Sequence, residues 1–306
     1  MPITRRLALS ASAVLAAGAM IPRRLWAVTT LTAGDLRIDS VSDGTLELPA
    51  AFVTDALPDA ERADIIARFA IPADRIVTPM NITLLRRGDR VALFDVGSGP
   101  GFMPTAGKLA GALAAVGITP ADVTDVIFTH AHPDHLWGLL DEFDEPVFAR
   151  ARLQMGAAEH EYWTDPQTPA TIGEARQAFA VGAARRLAAV GDRMALFEPD
   201  AEVLPGVTAV ATPGHTPGHT SFAIGTPDTG IMVTGDAIGN ATFAFARPDL
   251  PGGGDQDQPR AAESRKALLA RLADENWRMI GYHLPGGGIG RCVRQGDAFA
   301  FVPEAG

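Results

Sequence analysis

His130-Ala131-His132-Pro133-Asp134-His135 gathers three of the chain's seven histidines and an aspartate into six residues. The apolar run Val126-Ile127-Phe128 stands just before it, between Asp125 and Thr129, and reads as a short buried strand. The cluster therefore emerges where a sheet ends. His130 and His132 are two apart and project to the same side of an extended segment. Pro133 then turns the chain and brings Asp134 and His135 over a neighbouring point, with a short helix expected from His135. Imidazole and carboxylate suit zinc, and a catalytic zinc keeps three protein donors plus solvent. The natural partition puts His130 and His132 on one metal, Asp134 and His135 on a second.

A two-metal centre with ions about 3.5–4 Å apart needs more ligands than this cluster offers. Three later stretches offer them. Pro213-Gly214-His215-Thr216-Pro217-Gly218-His219 carries two histidines, Val233-Thr234-Gly235-Asp236 follows a β-like run, and Tyr282-His283 follows the last such run. His215 can complete the first metal, His283 the second, and Asp236 can bridge them. His219, four residues past His215 and at the start of a β segment, is expected to support a ligand from behind rather than bind metal. Only His160 lies outside such a setting.

Around these motifs strands and helices interleave. Leu36 to Val41 alternates and meets a turn signal at Ser42-Asp43-Gly44, and Asn81–Arg86 with Val91–Val96 flank a hairpin turn at Arg87-Gly88-Asp89. Thr105–Val116, Gly173–Val190 and Arg260–Ala273 read as helices, the first with Gly117 as its C-terminal cap. Further strands are expected at Pro146–Phe148, Val207–Ala211, Ser221–Ile224, Ile231–Thr234 and Arg278–Gly281. Thr164–Thr171 and Pro248–Pro259 are wetter and read as loop insertions. The pattern predicts an α/β architecture with helices layered over sheets.

Composition narrows the function. The 306 residues are 47% apolar, with 26 basic against 36 acidic side chains and a net charge of −10, which argues against nucleic acid as the partner. A single cysteine, Cys292, excludes an internal disulfide and any multi-cysteine metal site. Residues 1–27 differ from the rest. They carry four Arg and no acid, with Arg5-Arg6 ahead of an apolar stretch from Leu7 to Ile21 and Leu25-Trp26-Ala27 behind it. That is the make-up of a secretory signal peptide, too short and too polar for a membrane anchor, and Thr4 to Leu9 resembles a twin-arginine export signal. The expectation is a periplasmic or secreted protein whose residues 28–306 form one catalytic domain. Without residues 1–27 the balance is 22 basic to 36 acidic, or −14.

At residues 130–135, 213–219, 234–236 and 283 the sequence resembles the metallo-β-lactamase-fold hydrolase superfamily. Within it the likeness runs to exported, methyl parathion hydrolase-like members, through Ser42-Asp43-Gly44-Thr45, Leu48-Pro49, Phe94-Asp95-Val96-Gly97 and Tyr282-His283-Leu284-Pro285. It extends over roughly residues 34 to 303. The resemblance implies an αββα sandwich, a four-layer α+β arrangement with a dinuclear metal site between two sheet edges. It assigns His130, His132 and His215 to one metal, Asp134, His135 and His283 to the other, and Asp236 to both. It also implies a supporting role for Asp95, a substrate pocket with Phe102, Trp163 and Phe179, and a homodimer. The sequence departs from methyl parathion hydrolase at Gly286-Gly287-Gly288, where that enzyme has an aromatic-proline pair; a less aromatic pocket floor is expected.

The function expected from this set is metal-dependent hydrolysis of a small apolar ester, lactone or phosphotriester. Two Zn²⁺ ions sharing a solvent would bring its pKa from about 15.7 toward about 7, and the expected mechanism is attack of that hydroxide on a carbonyl or phosphoryl centre, with Asp134 or a metal-bound water returning the proton. No Gly-x-Ser-x-Gly elbow is present. Within the superfamily, His132 argues against a diiron flavoprotein, Asp236 against a zinc β-lactamase, and the acidic charge against an RNA-processing enzyme. An acyl-homoserine lactone lactonase uses the same seven ligands. A thiol-ester hydrolase of the glyoxalase II type finds little support in Arg291 and Arg294. The non-enzymatic alternative is an exported metal-binding protein with a silent site.

Overall fold

The structure, a computed structural model, describes residues 29–33 and 35–304; the expected signal peptide over residues 1–27 lies outside the described residues. One seven-stranded sheet runs in spatial order from β1 (Thr29–Ala33) through β2 (Leu36–Pro49), β3 (Arg75–Arg87), β4 (Arg90–Phe94), β5 (Asp125–Ile127) and β6 (Arg152–Gly156) to β7 (Met194–Phe197). The other holds β8 (Glu202–Leu204), β9 (Val207–Ala211), β10 (Thr220–Ile224), β11 (Ile231–Val233), β12 (Arg278–Ile280), β13 (Ile289–Gln295) and β14 (Ala298–Pro303). Between β2 and β3 lie α1 (Ala51–Thr54) and α2 (Arg62–Arg68); α3 (Leu109–Ala115) precedes β5 and α4 (Pro133–Leu136) follows it. The chain from β6 to β7 forms α5 (Ala157–Thr164), α6 (Thr168–Thr171) and α7 (Gln177–Val190), and α8 (Gln258–Asp274) joins β11 to β12.

The first sheet begins as an antiparallel meander and then turns parallel, whereas the second has one parallel pair set between antiparallel ones. β4, β5, β6 and β7 pair in parallel, as do β11 and β12. A parallel pair needs a crossover, and crossovers place helices on the outer faces. The inner faces pack on each other through Ile38, Leu85, Phe94 and Ile127 of one sheet and Val207, Phe222, Ile224, Val233 and Ile280 of the other. Helices α3 and α7 cover the first sheet, and α8 covers the second. α7 shows why: Ala180, Ala183, Leu187 and Val190 recur at three to four residues and form its buried face. The architecture is the αββα sandwich.

Local expectations fared unevenly. β3 and β4 form the hairpin, with Arg87 opposite Arg90 and Gly88 at φ +55° in the two-residue turn. Ser42-Asp43-Gly44 does not end a strand. It is a bulge inside the 14-residue β2, because the buried Asp43 carboxylate accepts N–H groups of Ser98, Gly107 and Leu109 and pins the loop after β4. Pro146–Phe148 makes only an isolated bridge from Pro146 to Leu140; the strand there is β6. The helix of the histidine cluster starts at Pro133 rather than His135. Within the Thr164–Thr171 loop, the last four residues are α6. Gly286-Gly287-Gly288 forms a turn into β13, packed so tightly that a Cβ on Gly288 would sit 2.1 Å from the Gly281 carbonyl oxygen. Those glycines line no part of the cleft described below.

Candidate metal centre

The parallel strands aim their carboxyl ends at one place. Asp95 follows β4, the histidine cluster follows β5, Asp236 follows β11 and His283 lies three residues past β12. His215 comes from the loop between β9 and β10. In α/β sheets such strand ends are where sites are built.

Seven donors fall into two groups. Nitrogens of His130, His132 and His215 lie within 4.8 Å of one another, and so do donor atoms of Asp134, His135, Asp236 and His283. Asp236 touches both groups: one carboxylate oxygen is 3.4 Å from His215 Nε2 and 3.2 Å from His283 Nε2, the other 3.4 Å from His135 Nε2. Asp134 Oδ2 stands 3.4 Å from His135 Nε2 and 3.3 Å from His283 Nε2. Donors about 2.0–2.1 Å from a tetrahedral zinc are separated by about 3.3–3.4 Å, the edge of that tetrahedron. The carboxylate–imidazole spacings of 3.2–3.4 Å match it, and His132 Nδ1 lies closer to His215 Nε2, at 2.9 Å. His130 Nε2, His135 Nε2, Asp134 Oδ2 and Asp236 Oδ1 are buried and have no hydrogen-bond partner among the described residues. Buried orphan atoms are costly unless something else satisfies them, and a pair of cations, one in each group, would do so for all four. The residues fit a pair of divalent metals.

Four of the five imidazoles are held by an oxygen at the other nitrogen, which fixes the ring and leaves one lone pair for metal; His132 Nε2 instead meets the Gln256 amide nitrogen at 3.3 Å. His130 Nδ1 meets Thr129 Oγ1 at 3.0 Å. His135 Nδ1 meets Asp95 at 2.8 Å, and Asp95 also accepts the Thr129 N–H and hydroxyl, each at 2.8 Å. Asp95 adopts φ +67°, a left-handed conformation that an aspartate tolerates at a cost and that clusters at functional sites. His283 Nδ1 meets the Pro79 carbonyl at 2.8 Å, and Tyr282 stacks on His135 while its hydroxyl donates to the Asp134 carbonyl. His219 stays out of both groups. Its Nε2 accepts the Asp236 N–H at 2.9 Å and its Nδ1 meets Thr212 Oγ1 at 2.8 Å. Burial first, then the neighbouring His215, pulls its pKa down to about 3, which keeps that acceptor nitrogen free of a proton.

Charge separates the two groups. Burial, reinforced by neighbouring imidazoles, holds His130 and His132 well below the usual histidine range. Burial opposes charge on His135 and His283 too, but there the carboxylates win. Asp134, Asp236 and Asp95 lift His135 well above its usual value, and Asp236 with Asp134 lifts His283 to about 10. Asp134 and Asp236 are driven the other way: burial resists their ionisation, and the facing histidines outweigh it.

Two acids that carry no motif organise the site. Glu159 on α5 is fully buried and accepts the Ala131 N–H, the Trp163 indole N–H, the Thr216 hydroxyl and the Gly218 N–H. It ties the loop of the first cluster to the loop of His215. Asp255 lies in the Pro248–Pro259 segment and is 4% exposed, its carboxylate 3.0 Å from His215 Nδ1.

A cleft open to solvent lies over the donors and is walled by Leu46, Leu48, Ile76, Phe102, Phe179 and Phe243. Phe179 also packs on the His132 ring at 6.0 Å. Trp163 is a correction. It is 1% exposed in the core, 5.8 Å from the His132 ring, and lines no part of the cleft.

Residues 75–283 match the Metallo-beta-lactamase superfamily. The chain belongs to that superfamily. An N-acyl homoserine lactonase from Bacillus sp is 31% identical over 133 residues, 42% of this chain and 44% of that protein, so the match spans less than half of such relatives. The human metallo-beta-lactamase domain-containing protein 1 is 28% identical over 222 residues, 70% of this chain and 68% of its own. Among solved structures, the dizinc quorum-quenching lactonase AidC, in complex with a product, matches with a TM-score of 0.83 at 25% identity, covering 92% of this chain and 98% of that one. The hydrolase AbOPH matches with 0.82 at 26%, covering 92% and 99%.

Proposed function

We propose that this chain is a dinuclear metal-dependent hydrolase that opens a small lactone or ester bearing an apolar arm. One observation carries the reading: seven donors fall in two facing groups shared through Asp236, and five of them (His132, Asp134, His215, Asp236 and His283) reach the floor of a cleft whose walls are mostly apolar. Two divalent cations, zinc in this reading, would supply Lewis acidity for the carbonyl oxygen and a water acidic enough to attack at neutral pH.

The chain's own residues do the remainder. Asp236, kept ionised by His135 and His283, sets the separation of the two groups. Asp134 lines the cleft; with Oδ2 turned to the metal group, its other carboxylate oxygen would take a proton from the attacking water and return it to the leaving oxygen. Leu46, Leu48, Phe102, Phe179 and Phe243 seat the apolar arm and exclude bulk water. Likeness to N-acyl homoserine lactonases supports a lactone joined to an acyl chain as the substrate. The apolar character of these walls would equally suit aryl esters and phosphotriesters.

The test is a hydrolysis panel on the zinc-loaded chain with acyl-homoserine lactones, aryl esters, methyl parathion and a β-lactam, with metal counted per chain. The reading requires two metals and turnover of a lactone or ester. Metal binding without any turnover would favour the silent, exported metal-binding protein. Export itself is tested by fusing residues 1–35 to a reporter. Survival of export in the Arg5→Lys, Arg6→Lys double variant would leave a general secretory signal in place of a twin-arginine one.

A further inference from the structure

We propose that Arg265 and Asp255 act as a positioning clamp that holds His215 and the Asp236 segment against each other and fixes the adjoining cleft wall. The proposal uses the metal-centre reading above only to say what His215 and Asp236 are positioned for.

Arg265 sits on α8, a helix of the second sheet's outer face, yet it is 3% exposed. A buried guanidinium has five donors to satisfy, and this one spends them on several separate pieces of chain. Nη2 meets Asp255 at 2.6 Å, Nη1 donates to the Leu250 carbonyl at 2.9 Å and the Pro248 carbonyl at 3.2 Å, and Nε donates to the Ala237 carbonyl at 3.2 Å. Ala237 directly follows Asp236. Asp255, in turn, offers its second oxygen to His215 Nδ1 at 3.0 Å. One side chain thus reaches two ligand-bearing segments, one through a carboxylate and one through a peptide carbonyl. Planar, multidentate bonding of this kind is what arginine provides and lysine does not.

The backbone between these contacts is shaped for the task. Gly252, Gly253 and Gly254 line the cleft, and each lacks room for a Cβ. That atom would lie 2.8 Å from Asp255 Oδ2 at Gly252, 1.7 Å from the Phe52 carbonyl at Gly253, and 2.9 Å from His215 Cε1 at Gly254. Gly252 N–H also donates to Asp255, Gln256 N–H to the His215 carbonyl and Asp257 N–H to the Gly214 carbonyl. From the opposite side Arg176 donates to the Gly253 carbonyl at 2.8 Å. Cleft wall and histidine support are one piece of chain. Both residues act through others, so they are positioning residues.

The test uses the zinc-loaded full chain, with chelator competition, histidine NMR and kinetics read together. Asp255→Asn should weaken zinc about 10–100-fold at one of two sites, and the His215 Nδ1 proton should lose its downfield position and its protection from exchange. Arg265→Met should weaken zinc at both sites and lower kcat more than it raises KM; Arg265→Lys should restore only part. Should Arg265→Met fail to fold, Asp255→Asn and the wild-type His215 Nδ1 proton still decide. Folded variants that keep both zinc affinities and the His215 Nδ1 signal would overturn the clamp, as would a wild-type Nδ1 proton that exchanges freely. A wild-type chain that binds zinc but hydrolyses nothing would count against the hydrolase reading alone, because affinity and NMR remain measurable.

Discussion

The two halves of the centre differ in how they are charged. His130, His132 and His215 offer imidazole nitrogens only, whereas Asp134, His135, Asp236 and His283 combine two carboxylates with two imidazoles. The first half keeps His130 and His132 neutral because burial and neighbouring imidazoles both oppose a proton. The second half attracts protons to His135 and His283 through the same carboxylates that would hold a cation. The lesson is that one cluster of adjacent residues can serve two different electrostatic sites, with Asp236 as the member common to both.

The comparison breaks most completely at Asp236. Asp236→Asn should loosen both metals and cut kcat/KM by more than the ~10–100-fold that outer partners cost, measured by metal content and turnover on one preparation. Full occupancy with unchanged turnover would separate the halves.

Next in size is the pH dependence of loading. A metal ligand must shed its proton, so uptake by the second half displaces protons from His135, which the carboxylates hold well above its usual value, and from His283, lifted to about 10. Affinity there should rise as pH rises from 6 to 8, by up to about tenfold per pH unit for each proton released. His130 and His132 have no such proton to give, so the first half should change much less. Calorimetry in buffers of different ionisation enthalpy counts the protons; equal counts for both sites would contradict the charge difference.

Asp95→Asn sharpens the contrast, since its carboxylate supports His135 and the first half has no contact with it beyond Thr129. Zinc affinity should fall about 10–100-fold at one site, read by chelator competition. In the cleft, Phe179→Ala should raise KM about tenfold for substrates with long apolar arms, the order expected from losing part of a buried ring, with metal content intact. Cys292 should matter least. Burial pushes its thiol up to about 12, so a thiol reagent should leave the folded chain unmodified, and Cys292→Ser should keep the wild-type kcat/KM.

The donor set was legible because metal chemistry restricts residue type and because six of the seven donors sit in short motifs at strand ends. The β3–β4 hairpin and α7 were legible for a similar reason, since turn chemistry and helical period are local signals. What escaped was long-range. Glu159 is 28 residues from Ala131 and 59 from Gly218, and nothing local marks it as their shared acceptor. Asp255 sits in a polar, glycine-rich stretch that reads as an exposed loop until Arg265 is seen to bury it. β6 was hidden by Arg152 and the buried Gln154, which spoil an apolar run, while Pro146-Val147-Phe148 imitated one. Ser42-Asp43-Gly44 has turn chemistry, but the backbone groups that Asp43 accepts lie 55 to 66 residues away.

Counting zinc per chain in the wild type beside Asp236→Asn and His215→Ala tests the central claim most directly. Shared ligation predicts two equivalents in the wild type, one tight equivalent after His215→Ala, and weakened binding of both after Asp236→Asn. A wild type that binds one equivalent or none, or an Asp236→Asn chain that still holds two as tightly, would contradict it.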